Sequence, residues 1–73
     1  MFDVFFKYTD KDLSTWYNDI ETIGQSNTTW AEFSGDELLK HRFNLNKDFY
    51  LYGKETSYIV SCANLISVEI TQK

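Results

Sequence analysis

An all-β domain is the fold this sequence predicts: a small meander of about six strands closing into a barrel or a compact sandwich, with room for one short helix near residues 34–43. Apolar and polar residues alternate along most of the chain, which is the period-2 signature of half-buried strands. Clusters of Asn, Asp, Ser and Gly interrupt the alternation, and these are turn formers. A sheet with one apolar face must then close or stack to hide it.

Phe2, Val4, Phe6 and Tyr8 alternate with Asp3, Phe5 and Lys7, as in a strand with one buried face and a partly covered second face. Thr9-Asp10-Lys11-Asp12 is a polar turn, and Leu13 to Tyr17 reads as the return arm of a hairpin, broken by Asn18-Asp19. Ile20 and Ile23 form a further apolar piece ended by Gly24-Gln25-Ser26-Asn27, and Thr28 to Phe33 is strand-like again around Trp30. The stretch from Ser34 is ambiguous. As a helix it would have Ser34 as N-cap and Glu37 as capping-box partner. As a strand, Leu39, His41, Phe43 and Leu45 alternate with Lys40, Arg42, Asn44 and Asn46. The alternation is the longer signal and the helix would be barely two turns, so strand is the expectation.

Phe49 to Tyr52, the turn Gly53-Lys54-Glu55-Thr56, and Ser57 to Ser61 form a hairpin; Ile66, Val68 and Ile70 mark the next strand. The C-terminal third is thus expected to be a three-strand meander. A faint echo supports repeated architecture: "KYTDKDLSTWYNDIETI" and "LYGKETSYIVSCANLISVEI" both run strand, polar turn, strand, Asn-containing bend, Ile-rich strand. Phe6, Trp30, Ile66 and Val68 are the expected core, with Phe49 and Leu51 turned inward and Tyr50 and Tyr52 outward.

The chain has 73 residues, which makes a single domain over residues 1–73 of marginal stability. Cys62 is the only cysteine, so neither a disulfide nor a zinc cluster reinforces it. Aromatic residues are 18% of the chain, and large rings suit a small core built from few pieces. The amino terminus carries Asp3 and Asp10 and no apolar run long enough for a signal peptide or membrane span, so a cytoplasmic location is expected, and no membrane partner. The formal net charge is −4 and the cations are scattered; nucleic-acid binding by counterion release is not expected. Phe, Tyr, Ile, Asn and Lys far outnumber Gly, Ala, Arg and Pro, a bias of A+T-rich genomes such as those of some bacteria, their phages and mobile elements.

Little in the sequence carries chemistry. Asp10 to Glu21 places oxygens at several positions of a calcium loop, but Thr15 stands where the sharp turn needs glycine. His41 is the only histidine and has no evident nucleophile beside it. Cys62 lacks basic neighbours to lower its pKa and reads as a small buried thiol. The glycines are dispersed, so no phosphate loop exists. No catalytic residue, metal or cofactor is therefore assigned, and enzyme activity is not expected. What remains is shape, charge and rings. The tyrosines either thicken the core or face a partner. Tyr50 and Tyr52, together with the acids Asp10, Asp12, Asp19 and Glu21, are the candidate binding residues, and the partner is a protein or a second copy of the chain, as for a phage or mobile-element inhibitor of a host protein. The alternative is a small barrel that stacks single-stranded nucleic acid on its aromatic face.

Overall fold

The computed structural model describes residues 1–73. Strand β1 (Phe2–Tyr8) follows the alternation, with Phe2, Val4, Phe6 and Tyr8 buried. Asp10 then caps a 3-10 turn over Lys11–Leu13, its carboxylate accepting from the Asp12 N–H at 2.9 Å. This turn removes Leu13 from the return arm, which starts at Thr15 as β2 (Thr15–Ile20). β2 also runs through Asn18-Asp19 instead of ending there. The register with β1 shifts between Phe2 and Val4, and Asp19 takes a left-handed φ of 60°, a conformation Asp tolerates better than most residues.

Gly24-Gln25-Ser26, expected as a turn, is the second half of β3 (Thr22–Ser26), and Gly24 and Gln25 are buried. β3 is flanked by β4 (Trp30–Ser34) and β5 (Phe49–Tyr52). Pairing with β4 throughout, and with β5 as far as Gly24, overrides the turn preference of these residues.

The region around 34–46 is neither the expected strand nor a two-turn helix. Helix α1 (Glu37–Lys40) is a single turn, entered through Gly35 at φ 61°, with Asp36 rather than Ser34 at the N-cap and no side-chain cap. Beyond it the backbone is extended at His41, and the alternation survives as exposure: His41, Phe43 and Leu45 are half-buried while Arg42, Asn44 and Asn46 are exposed. No strand pairs with this segment. The buried amide of Gln25 serves in place of one, donating from Nε2 to Asn44 O at 2.8 Å and to Lys47 O at 3.3 Å and accepting from the Asn44 N–H at 3.0 Å.

β5 and β6 (Ser57–Val60) form the expected hairpin. The final strand β7 (Leu65–Gln72) does not extend it, so the C-terminal third is not a three-strand meander. β7 crosses to lie beside β1, with Val4 opposite Ile70 and Phe6 opposite Val68. The protein is thus mostly β, with two antiparallel sheets of order β2-β1-β7 and β4-β3-β5-β6 and no closed barrel. The sequence echo has a counterpart in this topology, because each half makes a hairpin in one sheet and sends its next strand to the other.

One apolar cluster draws on both sheets. Phe6 and Phe49 meet edge-to-face at 5.1 Å, and Tyr17 of the three-stranded sheet lies 4.9 Å from Tyr58 of the four-stranded one. Leu38 of α1 is buried in the same cluster. Of the expected core, Phe6 is fully buried, Val68 is half-buried, and Trp30 and Ile66 are exposed. Trp30 shares a face with Glu32 and Ser34 by strand alternation. Ile66 falls where the register slips between Lys7 and Tyr8 and has no cross-strand partner.

Candidate interaction face

The register of the four-stranded sheet sorts its residues into two faces. Ile23, Phe33 and Leu51 stand in one row toward the core. Trp30, Ser26, Glu32, Gly24, Tyr50, Ile59, Thr22 and Tyr52 stand on the other. On that outer face Trp30 is 44% exposed, Tyr52 36% and Ile59 74%.

Gly24 organises the face. The indole of Trp30 lies over it so closely that any Cβ at position 24 would collide with the ring. Trp30 also meets Tyr50 edge-on at 5.1 Å, and its Nε1 donates to Glu32 Oε2 at 2.8 Å. The indole is therefore fixed by a ring, a hydrogen bond and a missing side chain, and it pays little conformational entropy on contact with a partner. Gly24→Val should displace it. The expected result is a red-shifted, more quenchable tryptophan emission in the variant, provided that circular dichroism shows the strands retained.

The candidate binding residues separate in space. Tyr52 lies on the outer face and pairs with Thr22, and its carbonyl accepts from the Glu21 N–H at 2.8 Å. Asp19 adjoins the same corner, its carbonyl 3.0 Å from where a Cβ on Gly53 would stand. Tyr50 is half-buried against Trp30. Asp10 and Asp12 lie at the opposite end of β1 and β2, in the 3-10 turn. Tyr50 and Tyr52 thus share the outer face, the Glu21 and Asp19 backbones adjoin its Tyr52 corner, and the two turn acids do not join them. Trp30 and Ile59 escape a reading that ranks apolar residues by size. The signal that finds Trp30 is parity: it stands three residues from Phe33, so the two cannot share a face of one strand.

Asp19 is engaged within the chain. Lys73 Nζ lies 2.7 Å from its Oδ1 and 3.6 Å from Asp3 Oδ1. The hydrogen bond from Lys73 lowers the Asp19 pKa, and its return effect raises that of Lys73. Asp48 Oδ1 accepts the Cys62 backbone N–H at 3.0 Å, which holds the Asp48 carboxyl low; hydrogen bonding to the same carboxylate pushes the Cys62 thiol up, toward its neutral form. Cys62 is half-buried beside Asp48 rather than paired with His41, which stacks on Phe33 at 3.7 Å. Burial raises the pKa of Tyr8, whose hydroxyl donates to Ser61 O at 2.7 Å.

These directions set a pH window. Asp19 and Asp48 are lowered on folding, so their contribution is present above the ordinary carboxylate range and lost as pH falls below about 4. Tyr8, Lys73 and Cys62 are raised on folding, so theirs is present at neutral pH and lost as pH rises beyond the ordinary values of a phenol, an ammonium and a thiol. Melting temperature should be flat between these limits and fall on both sides. Tyr8→Phe should lower the plateau, because Ser61 O loses its partner, and should blunt the alkaline fall while leaving the acid fall in place.

No group of three His, Cys, Asp or Glu side chains converges into a metal-holding set. Asp10 and Glu21, the ends of the calcium-loop spacing, are separated by a turn and the whole of β2. No helix is long and apolar enough to cross a membrane. No known protein family, curated protein or solved structure matches the chain.

Proposed function

We propose that this chain is an interaction module that binds a protein partner through the outer face of the four-stranded sheet. The observation that carries this reading is the exposed trio Trp30, Ile59 and Tyr52, with half-buried Tyr50 among them on one face and the largest ring held in place over Gly24. Binding hot spots favour rigid aromatic anchors surrounded by contacts that exclude water. The scaffold is a compact sandwich, supported by the apolar cluster that both sheets share.

The charge around the face selects the partner. Glu32 touches Trp30, while Lys54 is the nearest cation in sequence. A protein surface with an apolar centre and basic border fits best. A second copy would bring like charge against like. Single-stranded nucleic acid would need a cationic groove beside the rings, and no outward position of these four strands holds Lys or Arg. Occupation of a host protein's basic surface, as by a phage or mobile-element inhibitor, belongs to the same reading.

Trp30→Ala and Tyr52→Ser test it. Trp30 is 44% and Tyr52 36% exposed, so each truncation should cost less than the about 3–5 kcal/mol of a fully buried ring and leave the chain folded. Each should weaken a captured complex at least about tenfold, because a lost hot spot costs about 2 kcal/mol or more. The checks are affinity capture with wild type and both variants, then calorimetric titration of the captured partner. A partner retained equally by all three would refute the face. Salt-sensitive binding of oligothymidine would favour the nucleic-acid alternative.

A further inference from the structure

We propose that the free edge of β7 takes an extended, acidic peptide segment of a partner protein as an added strand, at a site separate from the aromatic face. The evidence begins with hydrogen-bond parity. The Lys73 N–H donates to Met1 O at 3.0 Å, and the register then runs Phe2 to Gln72 and Val4 to Ile70. Antiparallel pairs alternate between bonded and non-bonded, so Asp3–Thr71, Phe5–Glu69 and Lys7–Ser67 carry the ladder. The N–H and C=O groups of Val68 and Ile70 therefore point away from β1. β7 is an edge strand of eight residues with no second partner.

The opposite wall is also unpaired. α1 packs against both β4 and β7, and the extended segment after it runs beside β7, leaving an open groove with Phe43, Leu45, Val68 and Ile70 in its lining. The peptide groups of Arg42 and Phe43 make no hydrogen bond. Proteins usually blunt an edge of this length with proline, an inward charge or a covering element. β7 contains no proline, and it lines the groove with Ser67, Val68 and Ile70, none of them charged. Main-chain pairing would supply affinity and the apolar floor would receive alternate side chains, the mode of strand addition.

Charge specifies the occupant. Lys40 and Arg42 line this groove, both are exposed, and neither has a carboxylate within ion-pair distance. In a chain of net charge −4, this groove presents cations to an incoming strand. An extended segment with apolar residues at alternate positions and Asp or Glu between them matches it. This site differs from the aromatic face in position and in the sign of the charge it selects.

The probe is a blocked heptapeptide of alternating valine and glutamate, with a valine–lysine peptide as control, titrated into the full chain and followed by amide NMR. Shifts and new exchange protection are expected at the amides of Val68 and Ile70, with smaller shifts across Arg42 and Phe43. Val68→Pro removes an N–H that β1 does not use, and proline is tolerated on an open edge. It should keep the fold and lose the peptide. Lys40→Glu with Arg42→Glu should weaken the acidic peptide at least about tenfold and favour the lysine peptide. If Val68→Pro unfolds the chain, the charge-reversed variant decides alone. Absence of binding at millimolar peptide, equal binding of both peptides, or shifts confined to Trp30 and Tyr52 would overturn the proposal. Protection of the β7 amides without peptide, rising with protein concentration, would overturn it in favour of a second copy. Loss of the aromatic face by Trp30→Ala should leave peptide binding unchanged, so the two surfaces fail or succeed separately.

Discussion

Phe6→Ala is expected to bring the domain to the edge of unfolding at room temperature, with a substantial unfolded population. The side chain is fully buried and touches the core from three directions: edge-on to Phe49 at 5.1 Å, edge-on to Tyr17 at 5.5 Å, and opposite Val68 on β7. Truncating a buried phenylalanine costs about 3–5 kcal/mol, because lost transfer energy adds to the cavity left behind. A domain of this length has about 5 kcal/mol to lose, and no disulfide limits its unfolded state. Phe6→Leu, which retains most of the volume, should fold with a reduced melting temperature. Urea unfolding of both variants checks the claim; an alanine variant that melts within a few degrees of the parent would show that the core closes around the gap.

Gln25→Leu is expected to be nearly as damaging, for a different reason. The substitution is close in volume, so little packing is lost. It does remove the amide that satisfies the Asn44 N–H and accompanies the carbonyls of Asn44 and Lys47. An unsatisfied buried polar group costs about 1–3 kcal/mol, and here the Asn44 N–H and the Lys47 carbonyl lose their partner together, while Asn44 O keeps the Lys47 N–H. About 3 kcal/mol of destabilisation should follow. Loss should begin in the segment rather than the sheets: amide exchange around residues 41–47 should accelerate before that of β1 or β5. Uniform acceleration everywhere would mean that the segment is held by the contacts of Phe43 with Phe33 and Phe49 instead.

Strand content and the facing of most strands were legible without the tertiary structure. In β1, Phe2 to Tyr8 must alternate in and out because the side-chain period of an extended chain is two, and the same rule places Phe49 and Leu51 inward and Tyr52 outward. That rule also contained the correct position of Trp30, which its size obscured. The extended backbone near Phe43 was legible too; its lack of a strand partner was not. A side chain as ordinary in sequence as Gln25 acquires its role only when β3 lies between β4 and β5 and buries it.

The sequence by itself determined a small, mostly β chain, its turns at Asp10–Asp12 and Gly53–Thr56, and a set of rings with no evident catalytic company. Those properties depend on neighbours within a few residues. Tertiary structure decided that β7 crosses to β1, that Gly24 is a seat for an indole and not a turn, that Asp19 meets Lys73 while Asp10 and Asp12 stand apart, and that an edge with two unpaired cations stays open. Each of these depends on residues distant in the chain. Strand order is set by which apolar faces can be buried together, a condition satisfied by the whole core at once, and local alternation is the same for every order that the strands could adopt.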